Sequence, residues 1–281
     1  MAPTYGDVVR DAAARLSKVS ESPRLDAELL LAHAVGLSRA DLLARLRESG
    51  RLGGFPKFMD RRLAHEPVAY ILGYREFYSL DFLVRRPVLI PRPETEHLVE
   101  TALKFAEEAA RPLRILDLCT GSGCVAITLA AYLTQCDVTA ADISPDAVAL
   151  TRENAKHVGS RVRVRQGDLF DALPKDEPAF DIITANPPYV EAGEWNTLPL
   201  DITKYEDKRA LVAGADGLDL VRRIVAAAPD HLNPDGFIAL EIGEKQHEAA
   251  TAILNGARFV EVQCVEDLAG IKRIVTGRRS A

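Results

Sequence analysis

The chain has 281 residues, 47% of them apolar and 27% charged, with a net charge of -6. That length suffices for one large or two modest domains with a proper core, and the composition is that of an ordinary soluble globular chain. The acidic balance argues against a protein that coats nucleic acid through phosphate contacts, and no apolar run approaches membrane-spanning length.

The first residues, Met1 to Asp7, carry no basic-then-apolar signal, so a cytoplasmic protein is expected, with no membrane association and no stable nucleic-acid binding. Cys119, Cys124, Cys136 and Cys264 form no C-x-x-C pair and show no zinc spacing, and the six histidines include no His-Glu-x-x-His run. Free thiols and no metal site are expected.

Residues 1–73 read as helices only. Asp26 to Gly36 ends on a capping glycine, Ser38 to Leu46 begins on a capping serine, and Pro56 to Tyr70 has apolar positions at helical spacing. Lys57, Arg61 and Arg62 read as a solvated face of that last helix. Over residues 1–80 there are 12 Lys and Arg against 10 Asp and Glu, so the acidic excess lies beyond them. Tyr74 to Val88, rich in aromatic and β-branched residues, reads as a hairpin, and 74–92 as a linking segment.

From residue 93 to 281 strands and helices alternate, which predicts a parallel sheet wrapped by helices. Strands are expected near 114–118, 137–142, 161–166, 180–185, 236–241, 259–264 and 271–277, the last two as a hairpin at one edge. Glu191 to Asp216 is long, polar and poorly periodic, and reads as a lid or substrate contact.

Chemistry concentrates at two places. Arg114 to Leu118 runs from an apolar strand, carrying Asp117, through Cys119, Thr120, Gly121, Ser122 and Gly123 into a helix. Glycines there let backbone approach a ligand closely. The next strand ends on Asp142, placed to accept hydrogen bonds from two ribose hydroxyls, and Ser144-Pro145 starts the following helix. Gly121, Gly123 and Ala126 also satisfy the G-x-G-x-x-A form of the dinucleotide fingerprint, which leaves a nicotinamide or flavin site open.

The second place is Asn186-Pro187-Pro188-Tyr189, directly after the apolar run Phe180 to Ala185. A planar NH2 group shares its lone pair with its π system and is a poor nucleophile. The Asn186 side-chain oxygen and the Pro187 carbonyl can each accept one of its N–H bonds and turn the lone pair toward an electrophile, with Tyr189 stacked on the plane. Asp117 and this turn together favour S-adenosylmethionine over a dinucleotide. A carboxylate at Asp117 would sit near pyrophosphate in a dinucleotide site, whereas it can help hold the cationic methionine end.

On these residues the chain resembles the class I S-adenosylmethionine methyltransferases, and within them the protein-(glutamine-N5) methyltransferases that modify peptide chain release factors. Further blocks carry the likeness: Pro67 to Gly73, Phe77, Leu89 to Glu96, Ala210-Leu211, Asp216-Gly217-Leu218, and Glu241-Ile242-Gly243 followed by Gln246. Ile90-Pro91-Arg92-Pro93-Glu94-Thr95-Glu96 is the most discriminating, since general methyltransferases lack it. Cys119 departs from the family's usual glycine, and Glu206-Asp207 from its frequent Glu-Pro.

The resemblance implies a seven-stranded Rossmann-like α/β domain, preceded by a small helical bundle for substrate recognition and a linking β-hairpin. It implies S-adenosyl-L-methionine held by Asp117, Cys119, Thr120, Gly121, Ser122, Gly123, Asp142, Asp168, Leu169 and Asn186. Asp168 and Leu169 would line the base pocket; a capped turn with Leu169 and Phe170 in the core is the other reading. Asn186, Pro187, Pro188 and Tyr189 would bind substrate, and Asn186, Pro187 and Tyr189 would carry catalysis. The implied substrate is the glutamine of the GGQ motif in class I release factors. A ribosomal-protein glutamine or an adenine-N6 amine in DNA or RNA offers the same kind of NH2.

Overall fold

A computed structural model describes residues 2–109 and 111–280 of the chain. They form two compact units, one of Met1–Tyr74 with Pro199–Tyr205, the other of Arg75–Leu198 with Glu206–Ala281. The first unit begins with helices α1 (Tyr5–Leu16), α2 (Pro23–Val35), α3 (Arg39–Ala44), α4 (Phe55–Leu63) and α5 (Val68–Leu72).

Local chemistry sets the ends of these helices. Thr4 and Asp7 form a reciprocal capping box ahead of α1. Gly36 closes α2 in the left-handed conformation at φ +72°, and the Ser38 hydroxyl accepts from Asp41 N at 3.0 Å to open α3. The single helix expected over Pro56 to Tyr70 is two helices. His65 is left-handed at φ +71°, and Pro67 lacks an N–H and disfavours a helical Glu66, so α4 stops and α5 starts afresh.

Leu16, Leu30, Leu31, Leu42 and Met59 are fully buried at the centre of this bundle. Arg62, expected on a solvated face, is buried there too. Its guanidinium donates to Asp26 Oδ2 at 2.8 Å and to the Val19 carbonyl at 3.0 Å. Arg61 is partly buried and donates to both oxygens of Glu66, at 2.7 and 2.6 Å, across the α4–α5 break. Lys57 remains exposed, as expected.

After Tyr74 the chain order is β1 (Tyr74–Phe77), β2 (Leu80–Leu83), α6 (Glu96–Ala109), β3 (Arg114–Leu118), α7 (Cys124–Tyr132), β4 (Asp137–Asp142), α8 (Pro145–Val158), β5 (Val162–Gln166) and β6 (Phe180–Ala185). There follow α9 (Leu200–Tyr205), α10 (Asp219–His231), β7 (Leu232–Glu241), α11 (His247–Gly256), β8 (Phe259–Glu266) and β9 (Lys272–Arg279). The hairpin β1–β2 is shorter than the expected 74–88. It turns through Tyr78 and Ser79, both left-handed at φ +50° and +60°, and buries Phe77 and Phe82 beside Leu98 and Ile115 in the second unit's core.

The main sheet has seven strands in the order β5-β4-β3-β6-β7-β9-β8, parallel except for β9, which runs antiparallel to both β7 and β8. Leu116, Leu118, Ile183, Ile238 and Leu240 face Val221, Ile224 and Val225 of α10 on one side. Ile115, Ile182, Phe237 and Ala239 face Leu98, Val99 and Ala102 of α6 and Val125 of α7 on the other. Because strand side chains alternate, Asp117, Thr184 and Glu241 fall on this second face, at the carboxyl ends of three neighbouring strands.

The segment after the Asn186 turn, expected as one polar loop, is structured. Val190 bridges to Val212 in parallel, with Val190 N donating to Leu211 O at 2.7 Å and Ala213 N to Val190 O at 3.0 Å. Between them, α9 belongs to the first unit, where the Tyr205 hydroxyl donates to Ala64 O at 2.9 Å.

Removing one partner of a buried ion pair leaves the other charge uncompensated. Asp26→Ala is therefore expected to destabilise the folded chain by about 3 kcal/mol through the stranded Arg62. The measurement is the midpoint of denaturant unfolding; a midpoint equal to that of the wild type would refute a structural role for the pair.

Candidate active site

Strand order reverses direction between β3 and β6, which lead away to β4 and β7 on opposite sides. A crevice at such a switch point is where open α/β sheets bind ligands. Asp117 near the end of β3 lies opposite Thr184 of β6 in register, and Ala185 lies opposite Leu240, so Asn186 and Glu241 follow side by side.

Asp117 is 1% exposed, and its carboxylate accepts from the Thr120 hydroxyl at 2.6 Å and the Thr184 hydroxyl at 2.8 Å. Burial pushes this carboxyl up to about 7, against the pull of those two hydrogen bonds. Asp142 is partly buried. Its Oδ2 accepts from Gly121 N and its Oδ1 from Ser144 N, each at 2.9 Å, and burial again raises its carboxyl above the ordinary range.

The loop between these acids depends on left-handed backbone. Gly123, at φ +83°, leaves no room for a side chain: a Cβ there would lie 2.7 Å from both Ile127 Cδ1 and Thr151 Cγ2. Cys119 sits at φ +56°, a conformation that favours glycine, and this accounts for the residue type usual in the family at that position. Its side chain packs against the core instead, where burial raises the thiol.

At Asn186 the side-chain Nδ2 donates to Thr95 Oγ1 at 3.1 Å, which leaves Oδ1 as a free acceptor among the described residues. The backbone of the turn is tied down from behind. Gln246, 8% exposed, donates to Tyr189 O at 2.9 Å and Asp216 O at 3.0 Å, and accepts from Gly243 N at 2.8 Å. Gly217 at φ +70° is needed there, because a Cβ would lie 2.0 Å from Tyr189 O.

One cavity gathers Asp117, Cys119, Thr120, Gly121, Ser122 and Asn186, closed by Ile90 to Arg92 and Thr95. Its wall does not include Gly123, Asp142, Asp168, Leu169, Pro187, Pro188 or Tyr189. Asp142 reaches the neighbourhood through its bond to Gly121. Asp168 instead pairs with Arg223 at 2.8 Å, and Leu169, left-handed at φ +51°, is 9% exposed in the core with Phe170. The residue just before them is tied to Asp142, since Gly167 N donates to Asp142 O at 3.0 Å. Arg92 is held by both oxygens of Glu206, at 2.8 and 2.6 Å, so the departure at Asp207 leaves this pair intact.

These residues fit S-adenosylmethionine. Asp117 is an enclosed carboxylate for an α-amino cation, and Asp142 keeps two acceptor positions for ribose hydroxyls. At Gly121 a Cβ would project into open space, so the backbone stands clear for a ligand. Thr95, Thr184 and Gln246 carry no site signal of their own in the sequence. Only their membership in, or nearness to, the Ile90 to Glu96, Asn186 and Glu241 to Gln246 blocks signalled them.

Comparison with known proteins places the chain by fold and family. Residues 7–73 match the PrmC N-terminal domain, and residues 115–198 match a methyltransferase domain. The release factor glutamine methyltransferase of Bordetella pertussis is 43% identical over 91% of this chain and 94% of its own. That of Geobacter sulfurreducens is 40% identical over 92% and 90%. A methyltransferase from Pyrococcus furiosus superposes with a TM-score of 0.53 at 19% identity, covering 73% of this chain and 91% of its own, a likeness of fold. The chain thus carries a class I, S-adenosylmethionine-dependent methyltransferase fold, and it belongs to the release factor glutamine methyltransferase family.

Proposed function

We propose that the protein methylates the side-chain amide nitrogen, N5, of the glutamine in the GGQ motif of class I peptide chain release factors, using S-adenosylmethionine. The observation that carries this reading is the Asn186 turn: its side-chain oxygen is open while its nitrogen is tied to Thr95 at 3.1 Å, one strand away from buried Asp117. The names of the relatives, which align over nine-tenths of both chains, support the same substrate. In this reading residues 1–73 recognise the release factor, 74–92 link, and 93–281 carry the reaction.

When bound, the cofactor supplies a methyl group made electrophilic by its sulfonium. The chain's own residues hold and orient. Asp117, with Cys119, Thr120, Gly121, Ser122 and Gly123, holds the methionine end, and Asp142 the ribose. Asp168 and Leu169 contribute backbone beside the base. Asn186 Oδ1 and the Pro187 carbonyl accept the two N–H bonds of the glutamine amide, so its lone pair points across the cleft, and the proton released on transfer leaves through one of these bonds to water. Pro188 stiffens the turn, and Tyr189 packs on the amide plane. Catalysis is then mostly proximity and orientation in a desolvated site.

Incubation with labelled cofactor and, separately, a release factor, ribosomal proteins and DNA tests the substrate. Label on the release factor glutamine is expected; label on DNA or a ribosomal protein with none on the release factor would overturn the assignment. Asn186→Ala removes a hydrogen bond in a desolvated site, about 1.5–3 kcal/mol, and is expected to slow transfer roughly tenfold to a few hundredfold with cofactor affinity retained. A near wild-type rate in a variant that binds cofactor would sink the amide-gripping account.

Cofactor affinity should also follow pH. Free Asp117 titrates near 7, and its ionised form is the one that attracts a cation. As pH falls below about 7 the free protein protonates, so the dissociation constant should rise by up to about tenfold per pH unit. Calorimetry between about pH 6 and 7.5 reads this, and Asp117→Asn should flatten the profile. A pH-independent affinity in the wild type would exclude Asp117 as the counter-charge.

A further inference from the structure

We infer that Glu241 and Thr95 form a one-way hydrogen-bond relay that fixes the orientation of the Asn186 amide, making both positioning residues for the transfer. The inference rests on the reading that Asn186 Oδ1 grips the substrate amide.

Glu241 ends β7, is 1% exposed, and lies on the same sheet face as Asp117 and Thr184. Its Oε2 is buried with no hydrogen-bond partner among the described residues, an expensive state for a carboxyl group. Its polar neighbours are Thr95 and Asn186, themselves joined by the Asn186 Nδ2 to Thr95 Oγ1 bond, and its charged neighbours are Glu94 and Arg273. Burial pushes this carboxyl up to about 7, so it is poorly solvated and takes what donors its neighbours offer.

An ionised carboxylate only accepts hydrogen bonds, whereas a hydroxyl does both and an amide group has one end of each kind. Above about pH 7, where Glu241 is ionised and a pure acceptor, the Thr95 hydrogen is drawn to the carboxylate, and the lone pair left on Thr95 Oγ1 accepts from Asn186 Nδ2 at 3.1 Å. Asn186 follows Ala185, which pairs with Leu240, so it lies beside Glu241 in register, where a carboxylate favours the same nitrogen. Both constraints turn Oδ1 away, toward the substrate. An Asn flipped by half a turn about its last bond would present N–H to N–H, which repels the glutamine amide instead of gripping it. The acid thus determines which end of Asn186 is offered, without touching the substrate itself.

Glu241→Gln keeps the shape but supplies an NH2 that can donate to Thr95 and reverse the relay. Single-turnover rates at saturating cofactor and release factor, with calorimetric cofactor affinity and unfolding midpoints, test this. Glu241→Gln and Thr95→Val are each expected to lower the rate roughly tenfold while cofactor affinity and the unfolding midpoint stay near wild type, and Thr95→Ser should retain the rate within about threefold. The Glu241→Gln, Thr95→Val double variant should be no slower than the slower single, because both break one chain.

A Glu241→Gln rate equal to wild type, or a double variant whose loss is the product of the two single losses, would overturn the relay. Asn186→Ala, run alongside, separates the failures. If that variant is slow and Glu241→Gln is not, the relay alone fails; if Asn186→Ala is itself at the wild-type rate, the amide-gripping reading fails first.

Discussion

The second unit depends on a row of polar side chains buried at one end of an otherwise apolar sheet face. Below them, Ile115, Ile182 and Ala239 sit in the core at 0% exposure; above them come buried Asp117, Thr184 and Glu241, with partly buried Asn186 at the rim. Removing carboxylates from water costs several kcal/mol each unless donors replace the lost hydration. Asp117 recovers two hydroxyl donors, while Glu241 keeps an oxygen with no partner among the described residues. Such a row tolerates few arrangements of its hydrogens. Every donor spent on one acid is unavailable elsewhere, so the free acceptor that remains, Asn186 Oδ1, follows from how its neighbours are satisfied.

That row would be ineffective on a mobile turn. The backbone behind Tyr189 is bound through Gln246 to the loop at Asp216 and to Gly243, the first residue but one after β7. A single buried amide therefore ties together three chain segments that are far apart in sequence. Gly217 permits it by presenting no side chain where Tyr189 O approaches. On the opposite rim Arg92, which lines the cavity, is anchored by Glu206, so the cleft wall is also fixed by a bond across more than a hundred residues.

What could be read from the sequence was whatever local chemistry determines. The Gly36 and Ser38 caps, the apolar strands at β3, β4 and β6, and the two prolines after Asn186 each act on their own neighbours, and they lie where expected. Asp117, Gly121 and Asn186 were brought together on one cavity wall for the same reason, since strand ends locate them. The misreadings involve long-range competition. Arg62 looks solvated by helical spacing, yet Asp26, 36 residues away, draws it inside. The helix over Pro56 to Tyr70 fails at Pro67, whose rigidity outweighs the apolar spacing on either side. The roles of Thr95 and Glu241 were illegible because a threonine after a proline and an acid at a strand end have many uses. Only their juxtaposition with Asn186 selects one.

Charge resolves the ambiguity that the glycine pattern leaves. Gly121, Gly123 and Ala126 serve a dinucleotide as well as a sulfonium cofactor, because both need backbone that approaches closely. A pyrophosphate, however, would meet Asp117, buried and already raised to about 7 in part by the nearby Asp142. Among the described residues the one arginine on the cavity wall, Arg92, is committed to Glu206. A doubly negative group placed there would be repelled in a low-dielectric setting where like charges cost most. A ligand with an ammonium and a sulfonium would meet the opposite field, and in the proposed reading its ammonium relieves Asp117, an acid that the fold has deprived of water. In that reading the same burial that makes the site costly to build also makes it selective for a cationic cofactor.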